Sequence, residues 1–359
     1  MEDEPEVQVA ASTSRVIDGR HGEVGRATIR DVAAKAGVSS ATVSRVLNGA
    51  GAGAVHARTR DRVVRAIFDL GFEPSHAARA LATRRSHTIG ILTLAEIFSP
   101  ASLSFVLQSA VQDAGYHVSV ATIPSLEAAT KSSFSRLDPF REAEGLIALA
   151  PTRESERALA AMAIGVPTIV VEGAGHGALP SITMDQQGGA ALVTEHLIEQ
   201  GARRIAHIAG PEDWPSAEQR RAGWLEALQR HGLQVGLSVR GDWSVSSGYR
   251  AARELIDGAD VDALFVANDR MAIGALSALA DTGVSVPDDV LVVGFDNTEE
   301  SGYLRPRLTT VQQDYHKLGQ EAVADLVALL HGEDRAQAHR VLPVELIVRD
   351  SSRRSTGRP

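Results

Sequence analysis

Residues 31–48, DVAAKAGVSSATVSRVLN, carry side chains whose types and spacing suit contact with nucleobases. If residues 40–48 form a helix, its apolar stripe is Val43, Val46 and Leu47. The opposite face then carries small or polar groups and one long cation, namely Ser40, Ala41, Ser44, Arg45 and Asn48. The guanidinium of Arg45 can bind O6 and N7 of guanine together, which is worth ~1–3 kcal/mol of discrimination. The alternative is a helical hairpin used for dimerisation, which would need an apolar exposed face.

Two further helices are predicted to hold this segment in place. Thr28 and Asp31 make a capping-box pattern ahead of residues 29–36, and Gly37 can take the left-handed turn that ends a helix. Ser39 is a natural N-cap for the next helix, and a third helix is expected over residues 58–70. Because Thr28 and Ser39 stand near helix N-termini, both can hold phosphates. The predicted DNA-binding residues of this unit are Thr28, Ser39, Ser40, Ala41, Thr42, Ser44, Arg45 and Asn48.

Charge is distributed unevenly along the 359 residues, whose net charge is −9. Residues 27–86 contain ten Lys and Arg against four Asp and Glu, a balance of +6. Residues 1–26 sum to −3 and residues 87–359 to −12. A small basic unit joined to a large acidic body indicates that only the small unit contacts a polyanion. The alternative is a chance run of solvated surface arginines.

From residue 87 the pattern changes to short apolar runs separated by helical stretches. Seven runs are typical of buried strands, at 87–94, 116–122, 145–150, 168–173, 204–210, 263–269 and 290–296. Continuous apolar strands with helical crossovers predict parallel sheets covered on both faces. We therefore expect an α/β fold with two doubly wound lobes that follow an all-α headpiece, with the break between lobes near residues 181–189.

The segment TIRDVAAKAGVSSATVSRVLN and the later RTRDRVVRAIFDLGFEPSHAARALATRRSHTIGIL resemble the lactose-repressor (LacI/GalR) family of bacterial transcription regulators. The shared motifs are A-G-V-S-x-x-T-V-S-R-V-L-N, then T-R-x-R-V, then P-x-x-x-A-x-x-L. The similarity extends from residue 27 to about residue 350. It implies a helix-turn-helix headpiece, a hinge, and a two-lobed core like that of periplasmic sugar-binding proteins.

The resemblance also implies a homodimer on a pseudo-palindromic operator of double-stranded DNA. Leu81 falls at the family's hinge leucine, which wedges into the minor groove, and the alanines around it are small enough for close helix approach. The alternative for Leu81 is ordinary packing against the core. The family's tetramers use an additional C-terminal leucine-rich helix, and the sequence VRDSSRRSTGRP predicts none here.

Five segments of the acidic body match the family's ligand cleft. They place Arg220, Trp243, Asn268, Asp296 and Gln313 in an effector-binding site, with Asp269 beside Asn268 and Tyr315 close to Gln313. Glu172, at the end of TIVVE, is a further candidate from the first lobe. Guanidinium, carboxylate and amide groups suit sugar hydroxyls, and an aromatic face suits a sugar ring. The alternative for each residue is ordinary loop polarity.

These observations predict a DNA-binding transcriptional repressor that is controlled by a small-molecule effector, expected to be a carbohydrate. One rival is a solute-binding protein with no role in gene regulation. A second is an α/β enzyme, but we find no Walker loop, no G-x-S-x-G motif and no acid/base carboxylate pair. Neither a cofactor nor a metal site is predicted, because the histidines lack metal-ligand spacing and there are no cysteines.

The acidic N-terminus has no apolar core typical of a secretory signal, and no apolar run reaches the ~18 residues of a membrane span. We therefore expect a cytoplasmic protein that does not contact a membrane. The predicted domains are a disordered tail (1–26), the headpiece (27–73), the hinge (74–86), the two-lobed domain (87–350) and a second disordered tail (351–359). The lobes are expected over residues 87–184 with 316–343, and 185–311 with 344–350.

Overall fold

The computed structural model describes residues 27–47, 55–72, 85–94, 101–123, 140–162, 164–173, 179–258, 260–333 and 338–354. The described residues belong to two compact units that divide between Arg84 and Arg85. Two predicted DNA-binding residues, Asn48 and Leu81, lie outside the described residues, as do the tail 1–26 and nearly all of the hinge 74–86.

The first unit contains three helices, α1 (Ile29–Ala36), α2 (Ser40–Leu47) and α3 (Ala57–Leu70). The predicted capping box is confirmed, because the Thr28 hydroxyl accepts from the backbone of Asp31 while the Asp31 carboxylate accepts from the backbone of Thr28. Gly37 ends α1 at φ 63°, and the Ser39 hydroxyl accepts from the backbone of Thr42 at 3.2 Å. Each such cap contributes ~1 kcal/mol, which matters in a unit this small.

A small apolar core joins the three helices. Its buried members are Val32, Ala33, Ala36, Val43, Val63 and Ala66. Val46 and Leu47 pack against this core, so the apolar stripe predicted for α2 is confirmed. A salt bridge of 3.2 Å between Lys35 and Asp69 joins α1 to α3 at the surface.

The second unit begins with a six-stranded parallel sheet in the order β11-β5-β4-β3-β1-β2. We call this sheet and its helices the first lobe. The strands are β1 (Thr88–Leu94), β2 (His117–Ile123), β3 (Gly145–Leu149), β4 (Thr168–Val171), β5 (Ser181–Met184) and β11 (His339–Leu342). Helices α4 (Ala101–Asp113) and α10 (Tyr315–Leu330) pack together over one apolar cluster, and α5 (Arg153–Ala161) covers another.

The second lobe contains a four-stranded parallel sheet in the order β7-β6-β8-β9. Its strands are β7 (Ser238–Arg240), β6 (Ile205–Ala209), β8 (Ala263–Val266) and β9 (Leu291–Val293). Its helices are α6 (Gln186–Glu199), α7 (Pro215–Arg230), α8 (Val245–Gly258) and α9 (Asp269–Asp281). An antiparallel pair, β10 (Thr310–Gln312) and β12 (Glu345–Ile347), lies beside it. The predicted fold of two parallel α/β lobes after an all-α unit is confirmed.

The prediction of a disordered tail from residue 351 is wrong for its first residues. Asp350–Ser352 form a short 3-10 helix, and Ser351 and Ser352 are both fully buried. The Ser351 hydroxyl donates to the Val292 carbonyl at 2.6 Å, and the Ser352 hydroxyl lies 2.8 Å from Nε2 of His196. These long-range hydrogen bonds tie the segment to the second lobe, which local sequence polarity could not reveal.

No helix among the described residues is long and apolar enough to span a membrane.

Candidate nucleic-acid interface and effector site

Helix α2 presents the predicted base-contacting face to the surface. Ala41 and Arg45 are exposed, and Ser40, Thr42 and Ser44 are partly exposed. None of these five described side chains is packed inside the small core. The face therefore has the polarity and accessibility that contact with base edges requires.

Both predicted phosphate-binding hydroxyls already serve as helix caps. The Thr28 hydroxyl donates to the Asp31 carboxylate at 2.7 Å, and hydrogen bonds from Thr28 lower the pKa of Asp31. This negative charge at the start of α1 opposes a phosphate at the same point. The Ser39 hydroxyl lies 3.0 Å from that of Thr42, with no carboxylate in the first turn of α2, so this helix end is the better phosphate site.

A cavity of about 230 Å³ lies between the two lobes of the second unit. Its lining includes Glu172, Arg220, Trp243, Asn268 and Asp296, five of the six residues predicted to bind an effector. The other lining residues are Leu103, Leu149, Pro151, Trp214, Ser216, Arg270, Thr298 and Tyr315. The first lobe contributes mainly apolar side chains and Glu172, and the second lobe contributes most of the polar groups.

Arg220 organises the polar end of the cavity from the buried side of α7. Its Nε donates to Gln186 at 2.8 Å, its Nη1 donates to the carbonyl of Ala267, and its Nη2 lies 3.5 Å from the Asp296 carboxylate. The guanidinium lies 3.8 Å from the centre of the Phe295 ring. These contacts use three of the five N–H groups of Arg220, so the other two can donate to a ligand.

Gln313, the sixth predicted residue, lies behind the cavity wall and is 2% exposed. Its amide nitrogen donates to Asp296 at 2.7 Å and lies 2.8 Å from the Tyr315 hydroxyl. Its amide oxygen accepts from Gln186 at 2.8 Å. Gln313 therefore fixes other polar groups of the site rather than lining it.

Gln186 was not predicted from the sequence, although it holds Arg220 and Gln313 together. It is 1% exposed and begins α6 two residues after the end of the short strand β5. A polar residue after the carboxyl end of a parallel strand is a recognisable signal. Here it was hidden because the segment SITMDQQGG contains only four strand residues.

Asn268 and Asp269 have mainly structural partners. The Asn268 side chain caps α9 by accepting from Met271 at 2.8 Å, and it donates to the Trp243 carbonyl at 3.3 Å. Asp269 is fully buried and accepts from Thr310, Ser301 and the backbone of Thr298. Asn268 still borders the cavity, whereas Asp269 does not line it.

Two buried polar atoms of the lining have no partner, Oε1 of Glu172 and Nε1 of Trp243. Burial raises the pKa of Glu172 to about 7, although Arg220 opposes the shift. Burial also raises the pKa of Asp296 to about 6, again against Arg220. An unpaired acceptor and an unpaired donor are costly unless a ligand satisfies them.

Backbone strain is concentrated at the same cavity. Glu172, Trp243 and Asp296 all have positive φ, at 62°, 68° and 114°. Such conformations cost ~1–3 kcal/mol each in residues other than glycine, and they cluster at binding sites. Gly210 makes room for Trp243, because a Cβ there would lie 2.2 Å from the indole ring.

The arrangement suits binding of a small molecule with several hydroxyl groups. Carboxylate, guanidinium and amide groups surround one end, and two tryptophans border the cavity. No group of three or more potential metal ligands occurs among the residues that the structure describes.

Each of the two units contains a segment that matches a known protein family. Residues 28–75 match the family described as bacterial regulatory proteins, lacI family, and residues 194–352 match the periplasmic binding protein-like domain. The lactose operon repressor of Escherichia coli K12 is 35% identical over 329 residues, covering 90% of each chain. The transcriptional regulator CelR of Thermobifida fusca is 35% identical, covering 91% of this chain and 98% of its own.

Solved structures of the same two relatives are also similar to this protein. The lac repressor dimer bound to operator and the anti-inducer ONPF has a TM-score of 0.79 at 34% identity, covering 92% of this chain and 100% of that one. The CelR–cellobiose complex has a TM-score of 0.67 at 33% identity, covering 91% and 100%. The chain therefore belongs to the lacI family of bacterial regulatory proteins.

Proposed function

We propose that the protein is a transcriptional repressor whose operator binding is controlled by a small carbohydrate. The observation that carries the proposal is the pairing, in one chain, of an exposed polar face on α2 with an inter-lobe cavity that leaves Glu172 and Trp243 with unpartnered polar atoms. The first feature suits DNA and the second suits a ligand rich in hydroxyl groups.

DNA recognition rests on α2. Arg45 and the partly exposed Ser40 and Ser44 contact base edges, and Ser39 contacts a phosphate. Asn48 and Leu81 remain predicted contacts from the sequence. One headpiece reads only a half-site, so the protein acts as a homodimer on a pseudo-palindromic operator. The lac repressor structure that this chain resembles is a dimer bound to operator.

The effector is a neutral sugar rather than an anion. The lining matches two cations, Arg220 and Arg270, with two carboxyl groups, Glu172 and Asp296, so it has no excess positive charge to attract a phosphate or carboxylate. Trp243 and Glu172 have polar atoms that a hydroxyl group can satisfy. Relatives named for lactose and ribose operons, and a relative bound to cellobiose, support this class of ligand.

The position of the cavity between the lobes explains how an effector can control operator binding. A ligand that contacts both lobes stabilises one arrangement of them over another, in proportion to its differential affinity. In a dimer this shift changes how two headpieces are presented to DNA, which couples the two sites. We further propose that the protein acts in the cytoplasm and regulates transcription without catalysing a reaction.

The experiment measures fluorescence anisotropy of duplexes from the protein's own promoter region, at low ionic strength, with and without sugars. Sugars are first selected by thermal shift, since a ligand that binds only the folded state raises its melting temperature. We expect specific binding that a stabilising sugar weakens. A protein that binds such a sugar but ignores all duplexes would instead be a solute-binding protein.

A further inference from the structure

Arg153 of the first lobe donates hydrogen bonds to a loop of the second lobe. Its Nη1 donates to the Glu212 carbonyl at 2.6 Å, and its backbone nitrogen donates to the Asp213 carbonyl at 3.0 Å. Two consecutive carbonyl groups are therefore held by one residue that is distant in sequence. The donors and the acceptors belong to different lobes, so these hydrogen bonds require the lobes to approach each other.

The sequence around Arg153 fixes its position. Thr152 and Ser155 form a capping box that starts α5 at Arg153, and Thr152 is 8% exposed. Pro151, directly before the cap, lines the cavity. The side chain of Arg153 is itself exposed, so its position is set by the helix start and by the carbonyl groups rather than by burial. The positive end of the α5 dipole favours the same carbonyl groups.

The loop that Arg153 holds carries Trp214. The indole of Trp214 lines the cavity and meets the ring of Trp243 edge to face, with centroids 5.5 Å apart and an interplanar angle of 73°. The Trp214 carbonyl accepts from Ala217 at 3.0 Å and so starts α7, the helix that carries Arg220. Displacement of this loop would therefore move an aromatic wall of the cavity and the start of that helix together.

We propose that Arg153 is a positioning residue of the effector site, which holds residues 212–214 so that Trp214 closes the cavity. The inference deepens the proposed function, because it assigns the lobe contact that retains an effector. Arg153 does not touch the ligand in this scheme. It slows release of the ligand by keeping the loop in place, and its loss speeds dissociation.

The first test needs no effector. Hydrogen–deuterium exchange is measured on the purified full-length protein and on Arg153→Ala, with peptides that cover residues 150–156 and 211–217. We expect exchange in both peptides about tenfold faster in the variant, because local opening becomes easier. Arg153→Lys keeps a donor and should recover part of the protection.

The matched control is Arg157→Ala. Arg157 is exposed on the same helix, and its Nε donates only within the helix, to the Arg153 carbonyl at 3.1 Å. Exchange at 211–217 should remain at the wild-type rate in this variant. Unchanged exchange in Arg153→Ala would overturn the proposal. So would faster exchange that extends to β6, because Arg153 would then act on global stability alone.

The second test measures ligand dissociation, with lactose and cellobiose as probes. For a probe that binds, we expect Arg153→Ala to dissociate about tenfold faster, with wild-type rates in Arg157→Ala. Equal dissociation rates in Arg153→Ala and wild type would count against the positioning role. If neither sugar stabilises the wild type, the proposed carbohydrate effector is in question, and the exchange experiment still decides the role of Arg153.

Discussion

The amide nitrogen of Gln313 donates to the carboxylate of Asp296 at 2.7 Å, which joins the crossover between the lobes to the end of a strand in the second lobe. The Asp296 carboxylate also lies 3.5 Å from the guanidinium of Arg220, so it connects the Gln313 amide to Arg220. A ligand that contacts Asp296 or Arg220 therefore acts on the place where the chain passes from one lobe to the other.

Asp296→Ala and Arg220→Ala should each abolish the response to effector while leaving DNA affinity unchanged. The reason is that both side chains belong to the cavity and neither belongs to the headpiece unit. Operator affinity is measured by anisotropy with and without the sugar. Asp288→Ala, which removes an exposed carboxylate from the same lobe, is the control. Retained induction in both cavity variants would show that the site is misplaced.

Arg45→Ala should weaken binding to the operator by ~1–3 kcal/mol and relax preference at one base pair, because a bidentate contact with guanine is lost. Binding to unrelated duplexes should change far less. Arg62→Ala, an exposed arginine on α3, is the comparison, and any effect there should be similar for all duplexes. Equal losses on specific and unrelated DNA in Arg45→Ala would mean that this residue contacts phosphate only.

Glu172→Gln should stabilise the protein at about pH 8 and have little effect near pH 4, as the raised pKa requires. Burial raises the pKa of Glu172 to about 7, above its ordinary value of 4.5, so the folded state binds the proton more tightly than the unfolded state. The stability that this carboxyl group contributes is therefore present at low pH and is lost as the pH rises from 4.5 to about 7. Melting temperatures measured across the interval check this, and parallel curves for both proteins would contradict it.

Ser351→Ala should lower the free energy of unfolding by ~1–3 kcal/mol, because the buried backbone nitrogen of Thr309 loses its acceptor at 2.9 Å. Denaturant unfolding measures the change. A chain that ends at Arg354 should retain wild-type stability, whereas one that ends at Arg349 should lose more than Ser351→Ala does. Equal stability of both truncated chains would show that the buried 3-10 helix contributes nothing.

Much of the fold follows from the sequence because its signals are local. Caps at Thr28, Ser39 and Gly37 define the headpiece helices, and each of the seven predicted apolar runs overlaps a strand of the two parallel sheets. The apolar runs do not predict β5, β7, β10, β11 and β12. Each has only three or four residues, and β7, β11 and β12 are partly exposed, so their composition does not stand out from loops.

The hydrogen-bond partners within the effector site are harder to predict from the sequence than the fold is. The cavity residues could be named one by one, but the partners of each depend on contacts between distant segments. Gln186 lies 34 residues from Arg220 and 127 from Gln313, yet binds both. Asn268 has the residue type of a ligand contact, whereas its oxygen caps a helix. Sequence spacing does not distinguish a side chain that is free to bind from one already used by the fold.

The strand β11 has a consequence for biosynthesis. It completes the sheet of the first lobe by pairing with β5, although it is made only after the ribosome has translated the whole of the second sheet. The first lobe must therefore wait, with the edge of β5 unpaired, until residue 342 has left the exit tunnel. Both lobes therefore complete their folding at nearly the same stage of synthesis. A gene fragment that encodes β1 to β5 without β11 should yield a chain that aggregates through the unpaired edge of β5.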